Sequence, residues 1–582
     1  MTLIQITEPE NEKSYNGFVL GIDFGTTNSL VAFYDGIRAH VISDQNGNLS
    51  LPSCVFIDDE GIIQVGYSQK NYIRSVKRFI TSQTPELLSH FTDMRFKIVD
   101  GCPVFYDSES REYMYVNIVA KILSYLVTQA KVYLNQEVQK AVITVPAYFD
   151  HYARKTIQDA SKVAHIDLIR LLNEPTASLV AYGIDKSLGN GKICAVYDFG
   201  GGTFDVSVIK ISDGILDVIG TGGDNFLGGD DIDKEIADYI KDNFKNTNSD
   251  LYDLARKVKE NFDQSSEEGL LPNNVLKGIF DSYIEKTFTI MDNTLKDVGC
   301  FSKIDAVLLV GGSTKSKYLQ HKVSQRYNKV IFLSEPDMIV VRGAAIHAHN
   351  IVYATGNILA EVIPLSLGIE TINSIMSIMI ARNTPIPCEC SEIFTNYADN
   401  QRYIVLNIWQ GEQQYVTLPH MKFLGTLKIK ISNTGENYPK YKSKIKVIFK
   451  VDENAILQIS AYNEDTHETI EDIIKTSSLS EDELSDMVSV DSGINNKKVL
   501  FSHKSDLKLF VDNIKNLLCD ERDYIDNNLY DEICESLILA EQVIRDSTLM
   551  SEVSFIREKI EALTSNIIKE RIIRYMNNDC DP

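Results

Sequence analysis

The 582-residue chain has no excess of basic side chains, no long apolar run and no export signal. Its 58 Lys and Arg against 81 Asp and Glu leave a formal charge of −23, which argues against a general nucleic-acid binder because phosphate backbones are held mainly by clustered Lys and Arg. No stretch approaches the roughly 18 uninterrupted apolar residues of a membrane span. Residues 1–16 lack the basic-then-apolar order of a signal peptide, so we expect a cytoplasmic protein that binds neither nucleic acid nor a membrane.

Metal-binding and phosphate-loop signatures are absent as well. The nine cysteines are scattered, with Cys388 and Cys390 the only close pair, and no Cys or Cys/His spacing matches a zinc or iron–sulfur site. Buried thiols in a reducing compartment are the simpler interpretation. Residues 189–192 read Gly-Asn-Gly-Lys, but Ile193 follows where a P-loop needs Ser or Thr, so a P-loop fold is disfavoured.

A repeated strand–turn–strand unit is the most informative feature that is present. Residues 19–32 return as residues 195–208. In each copy an apolar strand ends in an aspartate, Asp23 or Asp198, and a glycine-rich turn leads to a second apolar strand. The region from residue 18 to about 350 is therefore predicted to be α/β, with two lobes built on one plan.

The chain changes character after residue 357. Leu427, Ile429 and Ile431 alternate with lysines, which is the period-two pattern of a strand with one buried face, whereas the last hundred or so residues carry helical spacing. Single cores stop growing near ~250–300 residues, so several domains are expected. We predict a leader at 1–17, a two-lobed α/β domain at 18–356, a linker at 357–361, a β-sandwich at 362–478 and a helical segment at 479–582.

The two Asp-Gly turns make physical sense as a clamp on a polyphosphate. Backbone amides of glycine-rich turns point donors at phosphate oxygens, and Asp23 and Asp198 supply the hard oxygens that hydrated magnesium prefers. One such turn would be weak support, since most glycine-rich hairpins are only turns. The matching pair, with a third glycine turn at Gly311 that admits an adenosine close to the backbone, predicts a site for ATP and Mg²⁺.

Five motifs resemble those of the heat-shock-70 chaperones and occur in the order of that family. They are GIDFGTTNS at 21–29, ITVPAYF at 143–149, NEPTA at 173–177, DFGGGTFD at 198–205 and VGGST at 310–314. The resemblance covers nearly the whole chain, whereas sugar kinases and actin share only the plan of the first domain. It implies a multidomain fold with an α/β two-lobed, actin-like ATPase domain, then a β-sandwich peptide-binding domain and an α-helical lid.

The resemblance implies particular residues for ATP binding and hydrolysis. Catalytic roles are implied for Lys77, Glu174, Asp198, Thr203 and Asp205. Magnesium is implied to be held through water by Asp23 and Asp198. Nucleotide contacts are implied for Gly25, Thr26, Thr27, Asn28, Gly200, Gly201, Gly202, Lys259, Gly311, Gly312 and Ser313. By spacing alone Lys77 would be a solvated surface lysine, and Arg256 and Lys315 depart from the family's adenosine contacts.

In the second half the resemblance implies a channel for an extended client peptide. Its lining is implied to be Ile369, Thr371, Ile372, Phe394, Thr395, Tyr397, Ile404 and Leu406. A sandwich core is the alternative for most of them, and for Ile404 and Leu406 the two interpretations are equally supported. General members of the family usually place Met and Ala where Ile372 and Tyr397 stand, so a different or narrower client preference is expected.

The resemblance also implies an allosteric relay from the nucleotide to the linker. It joins Pro146 and Arg154 to the linker residues Ile358, Leu359 and Glu361. The apolar pair is expected to dock when ATP is bound, and Glu361 keeps the negative charge with which the family often ends this linker. Without the resemblance, Pro146 and Arg154 would be a strand-end proline and a helix-surface arginine.

Residues 3–9 resemble the short leader of the HscA-type branch, which serves iron–sulfur cluster assembly, and residues 170–174 and 221–231 point the same way. For that branch the resemblance implies an iron–sulfur cluster scaffold protein of the IscU type as client and a J-domain co-chaperone of the HscB type as partner. Three alternatives stay open: a general protein-folding chaperone of the family, a sugar or small-molecule kinase on the same two-lobed fold, and a non-hydrolysing nucleotide-dependent exchange factor.

Overall fold

The computed structural model describes most of the first 473 residues and part of the C-terminal hundred. The described residues are 17–57, 62–66, 72–80, 96–99, 102–106, 112–183, 189–212, 215–244, 251–262, 271–353, 358–418, 420–431, 439–467, 469–473, 525–546 and single positions between 511 and 564. The chain divides into two compact units, Met1–Ser480 and Glu481–Pro582. The predicted leader, apart from Gly17, and the start of the predicted helical segment lie outside the described residues.

The first lobe is a mixed sheet with helices packed on it. Its helices are α1 (Tyr115–Leu134), α2 (His151–Val163) and α3 (Glu174–Tyr182), and its strands are β1 (Leu20–Asp23), β2 (Asn28–Tyr34), β3 (Ala39–Val41), β4 (Leu51–Pro52), β5 (Val55–Ile57), β6 (Ile63–Val65), β7 (Phe96–Val99), β8 (Cys102–Tyr106), β9 (Glu112–Met114), β10 (Lys140–Val145) and β11 (Asp167–Asn173). The main sheet has the order β11-β10-β1-β2-β3, with β1 parallel to β10 and antiparallel to β2. β1 is buried along its whole length, as expected for a strand covered on both faces.

The second lobe repeats this arrangement. Its helices are α4 (Gly229–Asn243), α5 (Leu251–Glu260), α6 (Asn273–Asp297), α7 (Lys317–Arg326) and α8 (Ile339–Val352), and its strands are β12 (Ile193–Phe199), β13 (Phe204–Ser212), β14 (Ile215–Asp224), β15 (Ala306–Val310), β16 (Val330–Ile331) and β17 (Ile358–Ala360). Its sheet has the order β16-β15-β12-β13-β14-β17. The first five strands correspond one by one to β11-β10-β1-β2-β3 of the first lobe, and β17 is an additional edge strand. The two copies of the sequence repeat therefore form equivalent central hairpins, β1–β2 and β12–β13.

Small residues let α8 pack tightly against the first lobe. A Cβ on Gly21 of β1 would overlap the backbone of Ala344 and Ala345. A Cβ on Gly343 would overlap the backbone of Ala177 in α3. Because the backbones approach this closely, α8 fixes β1 and with it the aspartate at the end of that strand.

Residues 362–473 form two four-stranded antiparallel sheets that share one core. The strands are β18 (Leu367–Thr371), β19 (Ile375–Ile380), β20 (Cys388–Phe394), β21 (Tyr403–Gln410), β22 (Lys422–Lys430), β23 (Ile445–Val451), β24 (Leu457–Asn463) and β25 (Thr469–Ile473). Their orders are β19-β18-β21-β22 and β20-β23-β24-β25. Leu427 and Ile429 of β22 point into the core with Val447 and Phe449 of β23, and Lys428 between the first two faces outward, as the alternation predicts.

The second unit is helical where the structure describes it. Helix α9 (Asn527–Asp546) buries Ile533, Leu537 and Ala540, which recur at helical spacing. Val511, Ile514, Ile556 and Ile560 complete that core. Among the helices described in either unit, none combines the length and the apolar character that crossing a lipid bilayer requires.

Candidate functional site

A cavity of about 580 Å³ opens between the two repeated hairpins. Asp23 at the end of β1 and Asp198 near the end of β12 line it from the two lobes. Gly202 and Asp205 do not line it. The other residues predicted to bind or hydrolyse ATP do: Gly25, Thr26, Thr27, Asn28, Lys77, Glu174, Gly200, Gly201, Thr203, Lys259, Gly311, Gly312 and Ser313.

The turns that follow β1 and β12 touch each other, and glycine is what permits it. A Cβ on Gly201 would overlap the Thr27 hydroxyl, and a Cβ on Gly202 would overlap the Thr26 side chain. Gly311 has a φ of +87°, in the left-handed region, and a Cβ there would overlap the backbone at the end of β12. Glycine at these positions therefore lets the three turns pack closely against one another and against the end of β12.

Buried carboxylates gather at the cavity. Asp23, Asp198 and Asp205 are 9%, 6% and 1% exposed. Burial, and next the charge of Glu174, raises the pKa of Asp23 to about 7 and that of Asp205 to about 7. The same two causes raise the pKa of Asp198 well above its usual range. These directions mean that burial first, and the neighbouring Glu174 second, disfavour the ionised form of these carboxyl groups, which a bound cation would favour.

Lys77 is the buried cation of this cluster. It lies in the 3-10 helix Val76–Ile80, is 2% exposed, and its ammonium donates a hydrogen bond to Glu174 at the start of α3. The structure therefore does not place Lys77 on the surface, where spacing alone would put it. Its charge lowers the pKa of Asp23, Asp198 and Asp205, but burial and Glu174 outweigh it at all three.

Two groups from the strand and turn at 140–148 position the carboxylates. The Thr144 hydroxyl donates to Asp23 Oδ1 at 3.0 Å, and the Tyr148 backbone N–H donates to Asp205 Oδ1 at 3.2 Å. We did not predict a role for Thr144 from the sequence. The available signal was its place in the motif at 143–149, directly beside β1 in the parallel pair β1–β10.

The donor set fits magnesium that keeps its water shell. Carboxylate oxygens suit Mg²⁺, which dehydrates reluctantly and usually retains several waters. Among the described residues, no three His, Cys, Asp or Glu side chains are placed to ligate one ion together. That Asp23 and Asp198 hold the ion through water stays a prediction, and a cation beside them would favour the ionised carboxylates that burial disfavours.

Basic side chains line the second-lobe side of the cavity. Lys259 donates to the Gly229 carbonyl at 2.9 Å and to Asp233 at 2.8 Å, which holds α5 against the start of α4. Arg256 and Lys315, the two departures from the family pattern, line the same cavity. Their effect on how a nucleotide base is held stays a prediction.

Asp230 and Asp231, at the start of α4, bond to the first lobe, a role that the sequence analysis did not assign to them. Asp230 accepts hydrogen bonds from the hydroxyls of Thr27 at 3.0 Å and Ser75 at 2.9 Å. Asp231 accepts one from Arg78 at 2.9 Å. These bonds tie the lobes together beside the cavity. In the sequence, two adjacent aspartates suggest only the first turn of a helix, where negative charge is favourable, and do not indicate a contact with another lobe.

The linker is paired with the second lobe. In β17, Ile358 and Leu359 lie in parallel register with Ile215 and Leu216 of β14, and Leu359 packs against the core there. The linker thus extends the second lobe's sheet by one strand.

The linker also contacts the first lobe next to the catalytic cluster. Glu361 is 3% exposed and accepts a hydrogen bond from the Asn173 backbone N–H at 3.1 Å. Arg154 is 1% exposed and donates to the Asn173 side chain at 2.7 Å, and Pro146 is buried directly after β10. Asn173 thus bonds to the linker through Glu361 and directly precedes Glu174, which lines the cavity. The sequence analysis did not assign a role to Asn173.

The first turn of α2 meets the β-sheet half. Asp150 pairs with the Lys422 ammonium. The His151 backbone N–H donates to Gln410 Oε1 at 3.2 Å, and the His151 ring accepts at Nδ1 from the Leu457 backbone N–H at 3.1 Å. The nucleotide-binding and β-sheet halves are therefore docked through polar contacts at this helix.

The residues predicted to line the peptide channel fall into two groups. Ile369, Ile404 and Leu406 are 1%, 6% and 3% exposed in the core between the two sheets, and Phe394 packs against that core. The remaining four lie at the surface: Thr371, Ile372, Thr395 and Tyr397. Their role in client binding stays a prediction.

Comparison with known proteins identifies the class. The family model described as Hsp70 protein matches residues 19–268 and 263–575, and the chain belongs to the Hsp70 family. It is thus an Hsp70-type chaperone, and its α/β lobes fit the actin-like ATPase domain of that family.

Two relatives indicate the branch. The chain is 36% identical over 483 residues to the "Chaperone protein HscA homolog" of Rickettsia typhi (strain ATCC VR-144 / Wilmington), a match covering 79% of each chain. It is 35% identical over 483 residues to the protein of the same name from Rickettsia prowazekii (strain Madrid E), covering 79% of this chain and 78% of the relative. Both similarities support the HscA branch.

Proposed function

We propose that this chaperone hydrolyses ATP between its lobes and uses the cycle to bind and release an extended client peptide in its second half. The observation that carries the proposal is the pair of equivalent hairpins, whose aspartates Asp23 and Asp198 line one cavity. The buried Lys77–Glu174 pair at the same cavity supplies groups suited to phosphoryl transfer.

Phosphoryl transfer depends mainly on positioning and charge stabilisation. Bound magnesium supplies positive charge at the phosphate oxygens. Lys77 stabilises charge on the transferred phosphate, and the backbone amides of turns 25–28 and 200–202 donate to phosphate oxygens. Thr203 contacts the phosphates, and Glu174 and Asp205 lie near the attacking water, Asp205 from just outside the cavity wall.

The linker couples this chemistry to the client. ATP binding closes the lobes and holds β17 against β14, with Glu361 bonded to Asn173 beside the catalytic Glu174. Hydrolysis alters the position of Glu174 and Asn173, which releases Glu361 and the linker strand. The β-sheet half then leaves α2 and retains its client.

The proposed client is an iron–sulfur cluster scaffold protein that presents a short proline-containing loop, and the proposed partner is a dedicated J-domain co-chaperone that stimulates hydrolysis. The HscA name of both relatives supports this assignment. The domain limits 18–356, 362–478 and 479–582, and a cytoplasmic location, belong to the same proposal.

Single-turnover ATP hydrolysis with and without a scaffold-derived peptide tests the proposal. We expect measurable basal hydrolysis that rises when the peptide is added. Lys77→Ala should lower the basal rate on the order of a hundredfold, because a charge that stabilises the transition state is lost. Lys303→Ala, which changes an exposed lysine, is the matched control and should leave the rate unchanged.

The possible outcomes separate the alternatives. ATP binding without hydrolysis would favour the exchange factor, and hydrolysis without stimulation by the scaffold peptide would favour a general chaperone. Transfer of phosphate to an added sugar would favour a kinase. Failure of the chain to bind ATP would overturn the nucleotide site itself.

A further inference from the structure

A run of lysines marks the second half of this acidic protein. Residues 440–446, here called the lysine loop, read Lys-Tyr-Lys-Ser-Lys-Ile-Lys in a chain whose formal charge is −23. All four lysines are exposed. Such a run is most often only a solvated surface, so its surroundings in the fold decide whether it carries more meaning.

The lysine loop is hydrogen-bonded to the turn that carries Tyr397. Asn396 is fully buried, and its side-chain oxygen accepts from the backbone N–H groups of Lys442 at 3.0 Å and Ser443 at 3.0 Å. The Tyr441 backbone N–H donates to the Asn396 carbonyl at 2.8 Å. The two segments therefore keep a fixed relation to each other.

This relation places the lysines beside residues predicted to line the client channel. Ile445, at the end of the loop, pairs with Phe394 across β20 and β23. The Lys440 backbone N–H donates to the Asp399 carboxylate at 2.8 Å, and Tyr397, two residues before Asp399, is 64% exposed. A peptide held at Phe394 and Tyr397 would have its flanking residues near the ammonium groups.

The ammonium groups of Lys440 and Lys444 lie at the surface, and that of Lys440 is 5.5 Å from the centre of the Tyr441 ring. Within the part of the chain that the structure describes, neither forms an ion pair with a carboxylate. Lys450, on the same strand β23, differs because it stands directly opposite Glu389. Positive charge is thus concentrated at the loop end of β23, where four exposed lysines fall within seven residues.

We propose that the lysine loop selects clients in which an apolar segment is flanked by acidic residues. The inference rests on the proposed peptide binding and specifies the class of peptide. Charges at the rim of an interface mainly set specificity and association rate, so carboxylates beside the apolar segment would steer and orient the client. A nucleic acid is disfavoured, because the net charge of the chain repels its phosphates.

Fluorescence anisotropy with two labelled peptides tests this. Both carry one apolar, proline-containing core, flanked in one peptide by aspartates and in the other by lysines. We expect the aspartate-flanked peptide to bind the full-length chain about tenfold more tightly at low salt, and the difference to shrink at high salt because exposed charge pairs are screened.

Variants decide whether the loop is responsible. Lys440→Gln combined with Lys444→Gln should bring the affinity ratio close to one, whereas Lys450→Gln should leave it unchanged. An unchanged ratio in the double variant, or a preference for the lysine-flanked peptide, would overturn the proposal. The proposal would also be overturned if an unlabelled oligonucleotide competed with the labelled aspartate-flanked peptide as effectively as the unlabelled peptide does. If neither peptide binds in any nucleotide state, the proposed client binding fails instead.

Discussion

Buried charge recurs at the residues predicted to act in hydrolysis and in its coupling to the linker. Lys77, Glu174, Arg154 and Glu361 are 2%, 7%, 1% and 3% exposed, and each has a partner of opposite charge or a hydrogen-bonding backbone group. An uncompensated buried charge costs several kcal/mol, so each of these side chains depends on its neighbour. Burial also keeps the groups at a fixed distance from a ligand, which is what positioning requires.

At the same scale, Thr144 is expected to orient Asp23 toward magnesium. Thr144→Val keeps the volume and removes the hydroxyl that donates to Asp23 Oδ1 at 3.0 Å. Since hydrogen bonds to charged groups contribute ~1.5–3 kcal/mol, the Mg²⁺ concentration for half-maximal nucleotide binding should rise about tenfold. Calorimetric titration of ATP over a series of Mg²⁺ concentrations measures this. Thr144→Ser should restore the normal dependence, and equal Mg²⁺ requirements in all three proteins would exclude the role.

Strand β17 has only three residues, yet it is proposed to couple the two halves of the protein. It adds one edge strand to the second lobe through its pairing with β14, and its neighbour Glu361 reaches the first lobe. A three-residue strand has few hydrogen bonds, so its docking depends on the packing of Leu359 against the core. An element of this size can leave the sheet without disturbing the strands beside it.

Leu359→Asp should therefore leave basal hydrolysis intact and abolish stimulation by client peptide. The carboxylate would sit unpaired against an apolar core, which disfavours the docked strand without touching the cavity. Steady-state ATPase measurements over a range of peptide concentrations are the test, with Leu359→Val as a control that keeps an apolar side chain. Stimulation that persists in the Asp variant would show that the signal takes another route.

For the whole molecule, the docked arrangement of the two halves places a histidine at their joint. His151 is 2% exposed, and its Nδ1 accepts from the Leu457 N–H, so the docked ring must be neutral at that nitrogen. Burial is the main cause that lowers its pKa from 6.5 to about 4. Among the nearby charges, Asp150 raises the pKa of His151, while Lys155 and Arg154 lower it further. Lys422 of β22 forms an ion pair with Asp150.

Docking should accordingly weaken in acid. The pKa of His151 is lower in the docked state, about 4, than in the undocked state, near 6.5. The contribution of the neutral ring to docking is therefore fully present above about pH 6.5 and is lost as the pH falls toward 4. At pH 5.5 the docking equilibrium should be about tenfold less favourable than at pH 7.5. Trp409, the single tryptophan of the chain, adjoins the interface residue Gln410 and reports docking by its fluorescence in the presence of ATP.

His151→Asn supplies the control for this pH dependence. Its side-chain oxygen can still accept from Leu457 but does not titrate, so the fluorescence profile should become flat between pH 7.5 and 5.5. A wild-type profile that matches the Asn variant would mean that protonation of this ring does not govern docking.

Much of the fold could be predicted from the sequence, because its signals are local. The repeat at 19–32 and 195–208 predicted two equivalent lobes, and the main sheets of the two lobes share one strand order. The alternation at Leu427 and Ile429 predicted a strand with one buried face, which is β22. Periodicity reports which side of an element is buried, whatever that element later packs against. The family resemblance added the candidate residues, which periodicity cannot supply.

Contacts between distant parts of the chain were decided only by the tertiary structure. Lys77 meets Glu174 across 97 positions, Ser75 meets Asp230 across 155, and Asn173 meets Glu361 across 188. The sequence by itself determined the turns, the strands and the residue types available for ATP chemistry. Which of those side chains are buried, paired or left with altered pKa values depends on how the lobes and sheets pack together, and no local pattern records that packing.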